Sequence, residues 1–570
     1  MKRLINLLLA FLAGTPCALA TTYEVGPGKP FVNLQAVAPL LAPGDLVLVS
    51  GNTTYPGGIV LSKHGTAAAP ITVRGVRINN NRPVLSGGTN TIEFRANHYI
   101  FEGFEVTGGS FRGIYHHGDN ITIRDCLVRD CPAHGILGAD SDSGSLLLEY
   151  TEVRNCGNGT TQHQIYMATD NTVFPNAVFR MQYCYVHHAT GGNSVKSRAG
   201  RNEIYYNWIE GGQYHELELI GADGQVPALV REDSDVVGNV LIKYNNWGTF
   251  ITRIGGDGTG TSMGRHRFAW NTIILAPTTT AAVFRLFDNL QSFEAHNNVI
   301  YRLGGGTVKI TDTSGLSIPL SSVAVSGTNN WIPAGSTLTP SQWVGTLTGA
   351  NPFFENSAAN NFTPAAASPL LNNSAAPTQS PAGFPFPNPL QKPFFEPPIH
   401  TALLAGFATA RSVVGIVDIG AIERPGPVLL GSGEDLQLLT FINNVGSGLA
   451  PLKVAFIGDA IRVEISSPGQ TFTGAFPLLA GQVFPTGYTP GFVVEYPELH
   501  MDIFAIESLY DPFSAPPPNT GILPSAGITI NAVAQSYLSG YTVRLQALAA
   551  APIAANGIFA TSDVRDLRIE

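Results

Sequence analysis

The sequence predicts an all-β protein in which a parallel β-helix is followed by a C-terminal antiparallel β-sandwich. The first observation is a series of short strand-like segments that recur at intervals of a few tens of residues. The second is the composition: 62 glycines and 40 prolines, with only 13% of residues charged, are typical of short strands joined by bends. The third is a change of pattern after Pro425, beyond which no such interval is visible.

The repeated segments share one ending, as in ITIRDCLV and FRMQYCYV. The endings lie 22 to 33 residues apart, at Val106, Val128, Val153, Val186, Ile209, Ile242, Ile274 and Ile300. Self-similarity at this interval indicates a solenoid, in which each coil adds about three short strands roughly 4.8 Å from those of the next coil. Asparagines recur shortly before four endings, and we expect them to stack as a structural ladder: Asn207, Asn239, Asn271 and Asn297.

Residues 1–20 have the pattern of a secretory signal peptide. Lys2 and Arg3 precede a short apolar stretch, and the letters ALA before Thr21 provide a small-x-small cleavage site. The apolar stretch is too short for a membrane span, and no later window offers about 18 consecutive apolar residues. We therefore expect a secreted or periplasmic protein without a membrane span.

Two domains are expected after the signal peptide. Residues 21–424 are assigned to the β-helix, where residues 31–41 form an amphipathic helical segment that can cap the open end of the solenoid. The Pro-rich stretch 374–398 is expected to wrap the last coils. Residues 428–570 show alternating strands with Pro and Gly turns, which predicts a sandwich that could be a structural or a sugar-binding module.

The charge and the cysteines exclude some classes of protein. A formal net charge of −9 argues against a general nucleic-acid binder but leaves room for an anionic substrate on a local basic strip. We expect a monomer. No C-x-x-C pair is present, which argues against a zinc site. Cys131 and Cys156 each follow a coil ending by three residues, so they should stack and could form a disulfide, whereas Cys126 and Cys184 should be buried free thiols.

Another strand of each coil can be aligned on an inward apolar residue. The anchors are Ile114, Ile136, Ile165, Val195, Leu217 and Ile251. Because strand side chains alternate between faces, the next residue of each strand points outward, which defines the column Tyr115, Leu137, Tyr166, Lys196, Glu218 and Thr252. Two residues before the anchors, at the bend, the column reads Arg112, His134, His163, Asn193 and His215.

Chemically capable side chains therefore converge on three adjacent coils. They are Tyr166, Lys196, Arg198, Glu216 and Glu218, with the bend histidines His163 and His215. Elongated saccharides can bind along such a face, since the coil spacing places several subsites in a row.

Structural explanations exist for the same residues. Lys196 and Glu218 would form a cross-strand ion pair, worth roughly 0.2–1 kcal/mol at a surface. Histidines stacked at a bend can be hydrogen-bonding ladder residues. Arg201, at the turn, is expected to be structural.

The segments GDLVLVSGNTTYPGGIVL and VKSRAGRNEIYYN resemble exported right-handed β-helix proteins, and the Lys-Ser pair followed by Asn is similar to the chondroitinase B and alginate lyase family. The resemblance covers roughly residues 21–424. It implies a secreted polysaccharide lyase that cleaves a uronate-containing polysaccharide by β-elimination.

The resemblance also implies roles for individual residues. Lys196 would be the base, Arg198 would clamp the uronate carboxylate, and Tyr166 or His163 would donate a proton to the leaving oxygen. Substrate contacts are expected from the neighbouring polar residues His117, His134, His215, Glu216 and Glu218.

Calcium is a further expectation with a weaker basis. Ala189, Gly191 and Asn193 stand where the family has acidic metal ligands. A calcium ion could instead bind at Glu216, Glu218 and Asp223.

Two other functions remain open at this point. Glu216 and Glu218 at i, i+2 on one strand would lie about 7 Å apart, which suits an inverting glycoside hydrolase. The solenoid could also be a non-catalytic carbohydrate-binding or cell-surface protein.

Overall fold

The structure is a computed structural model that describes residues 20–570, with the exception of 222–232, 249, 257–263, 289, 317–318, 377–379, 387, 413–415, 427–428, 489–495, 503–506 and 511–520. The predicted signal peptide therefore lies almost wholly outside the described residues and stays a prediction. Within the described residues, no helix is long and apolar enough to cross a bilayer.

Three long parallel sheets form the first and larger part of the molecule, and consecutive strands of the chain belong to different sheets. Sheet 1 contains the strands Thr22–Val25, Leu46–Ser50, Ile71–Val76, Tyr99–Glu102, Ile121–Arg124, Leu146–Glu149, Phe179–Gln182, Arg201–Tyr205, Asp233–Val237, Arg265–Ala269, Ser292–His296, Ala324–Thr328 and Trp343–Val344. Sheet 2 contains Thr54–Pro56, Val84–Ser86, Glu105–Thr107, Leu127–Arg129, Glu152–Arg154, Tyr185–His187, Trp208–Glu210, Val240–Lys243, Thr272–Leu275, Val299–Arg302, Trp331–Pro333 and Leu347–Gly349. Sheet 3 contains Ile59–Leu61, Asn90–Phe94, Arg112–His116, His134–Gly138, Ile165–Ala168, Val195–Arg198, Leu217–Ile220, Phe250–Gly255, Ala282–Phe287 and Thr311–Gly315. This arrangement is the predicted parallel β-helix, and its inward apolar side chains form one continuous core.

The bend between sheets 1 and 2 is made by one residue in a left-handed conformation on each coil. Its φ is positive at Gly103, Asp125, Tyr150, Tyr183, Tyr206, Gly238, Trp270, Asn297 and Asn329. Such a conformation is uncommon outside glycine and is tolerated best by Asn and Asp, so the tertiary fold imposes it on the tyrosines and the tryptophan.

The residue after this bend points into the coil and forms the asparagine ladder. Asn207, Asn239, Asn271, Asn298 and Asn330 are fully buried. From Asn239 onwards, each side-chain oxygen accepts the backbone N–H of the previous asparagine at 2.9–3.0 Å, and the Asn207 oxygen accepts the Cys184 N–H at 3.0 Å. The predicted ladder is confirmed except at its last member.

The prediction was one residue off at Asn297, because two asparagines are adjacent there and only the second points inward. Asn297 is the bend residue, and its side chain pairs with the backbone of Ala375 instead. The same slip affects two coil endings, since Leu241 and Ile273, not Ile242 and Ile274, are the register partners of Ile209 and Ile300.

The N-terminal cap is shorter than predicted. An α-helix covers Leu34–Val37 with Asn33 as its N-cap, and a 3₁₀ turn covers Ala38–Leu40. Pro39 has no N–H to continue the α-helical pattern, which explains the early end. Leu34 and Val37 nevertheless pack into the core at the first coils.

The cysteines stack as the repeat predicts, but the expected disulfide is absent from the structure. Cys126, Cys131, Cys156 and Cys184 are all buried free thiols. Cys131 and Cys156 lie on neighbouring coils with their thiols in contact: the hydrogen bond between the two groups lowers the pKa of Cys131 and raises that of Cys156. The structure therefore shows Cys131 and Cys156 as adjacent thiols in place of the predicted disulfide, whereas Cys126 and Cys184 are as predicted.

The remaining short elements follow the helix. Strands Phe354–Asn356 and Asn361–Pro364 form a small antiparallel hairpin, and 3₁₀ turns occur at Leu320–Ser322, Ser357–Ala359 and Ser536–Leu538. The Pro-rich stretch does not wrap only the last coils as predicted. Its aromatic residues reach back along the helix, where Phe395 packs on Tyr183 and Tyr206.

The C-terminal part consists of two sheets, in agreement with the sandwich prediction. One contains Gln437–Ile442, Ala460–Ser466 and Ile528–Val533. The other contains Leu452–Ala455, Phe476–Pro485, Glu507–Tyr510, Tyr541–Ala550, Phe559–Thr561 and Arg565–Ile569. Pairing is antiparallel except between Leu452–Ala455 and Arg565–Ile569, which are parallel. A separate apolar core lies between these strands.

Candidate functional site

The outer face of sheet 3 carries a column of polar side chains, one from each coil. The register pairs Tyr166 with Lys196, Lys196 with Glu218, Glu218 with Arg253 and Arg253 with Arg285. We call these five residues the outer column. Because paired strands lie about 4.8 Å apart, the column extends over roughly 20 Å.

The sequence alignment was correct up to Glu218 and wrong on the next coil. Thr252, not Ile251, is the partner of Leu217, so Arg253 takes the outward place that had been given to Thr252. Arg253 and Arg285 were missed for this reason. The sequence did contain a signal for the two arginines. Each is followed by an aliphatic residue that is buried, in the letters TRI and FRL, whereas Lys196 has no aliphatic residue after it.

Lys196 is the second residue of the column, between Tyr166 and Glu218, and is mostly enclosed. Its side chain is 14% exposed, and its Nζ lies 4.8 Å from the centre of the Tyr166 ring and 3.8 Å from Glu218 Oε2. Glu218 is itself buried, with Oε2 accepting from Asn193 Nδ2 at 2.5 Å and Oε1 accepting from Arg253 Nη1 at 2.6 Å. The carboxylate of Glu218 therefore links the lysine to the next cation along the column.

Arg198 is buried beneath the column, although alternation puts it on the outer face. Its Nε donates to the Tyr166 hydroxyl oxygen at 3.0 Å and its Nη1 donates to the Gly221 carbonyl at 2.5 Å. With 3% exposure, its guanidinium is in a position to orient Tyr166 and to stabilise negative charge on the phenol oxygen.

Glu216 does not face outward with Glu218, which corrects the sequence prediction. Its carboxylate is fully buried and accepts from the Gly212 N–H at 2.8 Å and from Ser194 Oγ at 2.9 Å. Burial raises the pKa of this carboxyl to about 7, and the nearby Lys243 ammonium opposes that rise. Glu216 therefore holds a bend together, and the two glutamates do not form the pair that an inverting hydrolase needs.

The bend histidines form the hydrogen-bonding ladder that was the structural explanation for them. His134 Nδ1 accepts from the His163 N–H at 3.2 Å, His163 Nδ1 accepts from the Asn193 N–H at 2.9 Å, and Asn193 Oδ1 accepts from the His215 N–H at 3.0 Å. Burial and the neighbouring cations, first among them Lys196, hold the pKa of His163 well below its usual range. A buried, neutral His163 that already accepts a backbone N–H does not fit the predicted role of proton donor.

One predicted substrate contact and the arginine that was predicted to be structural lie away from Lys196. His117 stacks edge-on against Tyr115, three coils before Lys196, where it could meet only a distant part of a long ligand. Arg201 is structural as predicted, since it pairs with Asp235 at 2.6 Å on sheet 1.

The calcium prediction stays a prediction. Asp223 lies outside the described residues. Elsewhere in the described part of the chain, no group of three or more His, Cys, Asp or Glu side chains is placed to hold a metal ion. Glu216 and Glu218 are engaged by different partners.

The molecule is thus a parallel β-helix in which the polar side chains of the outer column line the outer face of sheet 3. A family model described as "Right handed beta helix region" matches residues 57–239. The chain is similar to the crystal structure of an alginate lyase from Paenibacillus sp. str. FPU-7, with 17% identity, a TM-score of 0.35, and coverage of 52% of this chain and 99% of that one.

Two further solved structures are similar in the same way. Pectate lyase Pel9A shares 15% identity at a TM-score of 0.42, with 71% of this chain and 96% of that one covered. The PL6 family polysaccharide lyase Pedsa3628 from Pseudopedobacter saltans shares 13% identity at 0.37, with 59% and 94% covered. A search of curated proteins finds no match. At these identities the likeness concerns the right-handed β-helix fold alone.

Proposed function

We propose that the protein is a polysaccharide lyase that cleaves a uronate-containing chain at the outer column. One observation carries the proposal: a lysine amine and a tyrosine ring lie 4.8 Å apart on adjacent coils of an open sheet face, with an arginine on the tyrosine oxygen. A base and a proton donor side by side are what β-elimination requires.

The reaction assigns a task to each group. Lys196, in its neutral form, takes the C5 proton of a uronate, and the electron pair of that C–H bond forms the C4–C5 double bond. The C4–O bond breaks, and Tyr166 gives its proton to the leaving oxygen. Arg198 is a positioning residue, since it stabilises the resulting phenolate without reaching the surface. Proton exchange with water then restores both groups.

Charge around Lys196 supports the choice of an acidic substrate. The C5 proton becomes acidic enough to remove only when the adjacent carboxylate is offset by a cation. Arg253 is the partly exposed cation next along the column, and Glu218 fixes its position at 2.6 Å. In this proposal Arg253 takes the carboxylate-binding role that the sequence suggested for Arg198.

The test is the ultraviolet absorbance of the new double bond during incubation with a panel of uronate polysaccharides. We expect Lys196→Ala to reduce the rate about 10²–10⁴-fold, the usual contribution of a general base. Lys29→Ala is the matched control, because Lys29 pairs with Glu24 at the far end of the helix and should leave the rate unchanged. New reducing ends without new absorbance would instead identify a hydrolase, and binding without either signal a non-catalytic solenoid.

A further inference from the structure

A cavity of about 200 Å³ lies on the same sheet face as Lys196, beginning one coil further along the helix. Its lining consists of Tyr214, His215, Phe250, Arg253, Arg285 and Phe287. These are three aromatic rings, two guanidinium groups and one imidazole.

The two arginines leave the cavity with unbalanced positive charge. Arg253 and Arg285 are register partners, and the Arg285 guanidinium lies 4.6 Å from the ring centres of both Phe250 and Phe287. Within the described residues no carboxylate pairs with Arg285, and the Nε atoms of both arginines are buried without an acceptor. The only carboxylate bound to either is Glu218, on Arg253, so the site has one more cation than anion among these residues.

The next residue along the register does not neutralise Arg285. Asp312 pairs with Arg285 in register, but its carboxylate accepts from Lys309 Nζ and from Ser314 Oγ, both at 2.5 Å. Among the described residues, the Arg285 guanidinium therefore has no carboxylate partner.

His215 supplies an acceptor beside these cations. Its Nδ1 donates to the Phe250 carbonyl at 3.2 Å, and its Nε2 is buried with no partner among the described residues. Burial lowers the pKa of His215 to about 4, so the imidazole is neutral at pH 7 and Nε2 carries a lone pair. A neutral Nε2 accepts an O–H, which a bare inorganic anion does not supply but a sugar hydroxyl does.

We propose that this cavity is a subsite for an acidic sugar residue. The sugar carboxylate binds to Arg285, whose charge no described carboxylate offsets, while Arg253 serves the sugar at Lys196. A ring hydroxyl donates to His215 Nε2, and the aromatic rings cover the apolar faces of the sugar. A carboxylate is favoured over a sulfate ester because its planar oxygens match the fork of a guanidinium. The subsite depends on the proposed function in one respect: the sugar that it binds is the neighbour of the sugar held at Lys196.

Exposed aromatic residues extend the cavity to the surface. Trp247 is 44% exposed, and its ring lies 6.3 Å from that of Tyr214. The two rings meet edge-on at 65°, and the exposed ring of Trp247 offers a face on which a further sugar unit of the same chain can stack.

The test is binding to a protein that cannot cleave. Isothermal titration of Lys196→Ala with saturated alginate and polygalacturonate oligosaccharides is compared with titration of the double variant that adds Arg285→Gln. We expect Arg285→Gln to raise Kd about tenfold or more for the oligosaccharide that binds, since it removes a charged hydrogen-bond donor. The carboxyl-reduced form of the same oligosaccharide should bind both proteins equally weakly.

Arg95→Gln in the same background is the matched control. Arg95 is an exposed arginine that follows a strand of sheet 3 several coils away, and it pairs with Glu93 at 2.7 Å. Equal Kd values for the Arg285 and Arg95 variants would overturn the subsite, as would no binding of any acidic oligosaccharide. Arg285-dependent binding of a sulfated neutral oligosaccharide alone would overturn the carboxylate.

The two proposals fail separately. If wild-type protein gives no unsaturated product but Arg285-dependent binding persists, the subsite stands and the lyase activity does not. If unsaturated product forms while Arg285→Gln leaves Kd unchanged, the lyase stands and the subsite does not.

Discussion

At the scale of single residues, the bend of sheet 3 uses histidine and asparagine for the same purpose. His134 and His163 accept the backbone N–H of the next coil through Nδ1, and Asn193 accepts the following one through Oδ1. The hydrogen bond is equivalent, but the histidines add groups that titrate. Burial, with the Arg112 and Lys196 charges, lowers the pKa of His134 from 6.5 to about 4.

This difference predicts that His134→Asn reduces the acid sensitivity of the fold. In the unfolded chain the residue binds a proton near pH 6.5, whereas the folded protein keeps it neutral down to about pH 4. The unfolded state thus binds more protons in this window, so stability is complete above pH 6.5 and is lost as pH falls towards 4, by about 3 kcal/mol. The variant should lack that loss and match wild type at pH 8.

The measurement is urea unfolding of both proteins across this pH range. His64→Asn serves as control, because His64 is exposed and its replacement should leave the pH profile of the wild type. Parallel profiles for wild type and His134→Asn would contradict the assignment of a buried, neutral His134.

At the scale of elements, one inward position per coil supplies the side chain that accepts the backbone N–H groups at the bends. The position is occupied by Cys126, Thr151 and Cys184 on earlier coils and by the asparagine ladder from Asn207 onwards. The asparagines supply an acceptor and a donor at once. Asn239 Oδ1 accepts from both the backbone and side chain of Asn207, while its Nδ2 donates to the Ile204 carbonyl at 2.8 Å.

Asn239→Ala should therefore be strongly destabilising. It leaves the buried backbone N–H of Asn207 and one of its two side-chain N–H groups without an acceptor, the other still donating to the Met181 carbonyl, which costs about 3 kcal/mol or more. Asn239→Thr should cost less, because Thr151 takes the same position and accepts from the Cys126 N–H at 3.4 Å. Denaturant midpoints at constant m-value measure both effects.

The exposed Asn373 provides the control for this series. Its side chain donates only to the Pro369 carbonyl, so Asn373→Ala should stay within about 0.5 kcal/mol of wild type. A similar small change for Asn239→Ala would show that the ladder adds nothing beyond stacking of the coils.

At the scale of the whole molecule, a buried arginine is one of the points that attach the C-terminal sheets to the rest of the chain. Arg568, on the last strand, donates from Nη1 to the Arg411 carbonyl at 3.2 Å and from Nη2 to the Phe394 carbonyl at 3.0 Å. Both acceptors belong to the segment that follows the β-helix. A cavity of about 880 Å³ lies beside this contact, so the attachment is not a continuous packed core.

Arg568→Met should loosen the attachment while leaving each part folded. The Arg411 carbonyl loses its described donor and the Phe394 carbonyl keeps only the Arg411 N–H at 2.8 Å, at a cost of about 1–3 kcal/mol. We expect calorimetry to resolve two unfolding transitions in place of one, and proteases to cleave between the parts more quickly. Arg462→Met, on the partly exposed strand Ala460–Ser466 of the same sheets, should change neither result. An unchanged single transition for Arg568→Met would place the attachment elsewhere.

The sequence by itself determined the all-β class, the coil-length repeat, the placement of Lys196 above Glu218 and beside Tyr166, and the change of fold after residue 425. Each follows from signals that the chain itself carries. Period-two alternation and turn residues are visible within a few residues, and the recurring endings are visible when successive coils are compared. Only the tertiary structure settled the register beyond Glu218, where Thr252, not Ile251, pairs with Leu217 and thereby places Arg253 and Arg285 in the outer column. It also decided that Glu216 and His163 are buried and bonded to neighbouring coils, since burial depends on what another coil places against a side chain and alternation along one strand cannot report it.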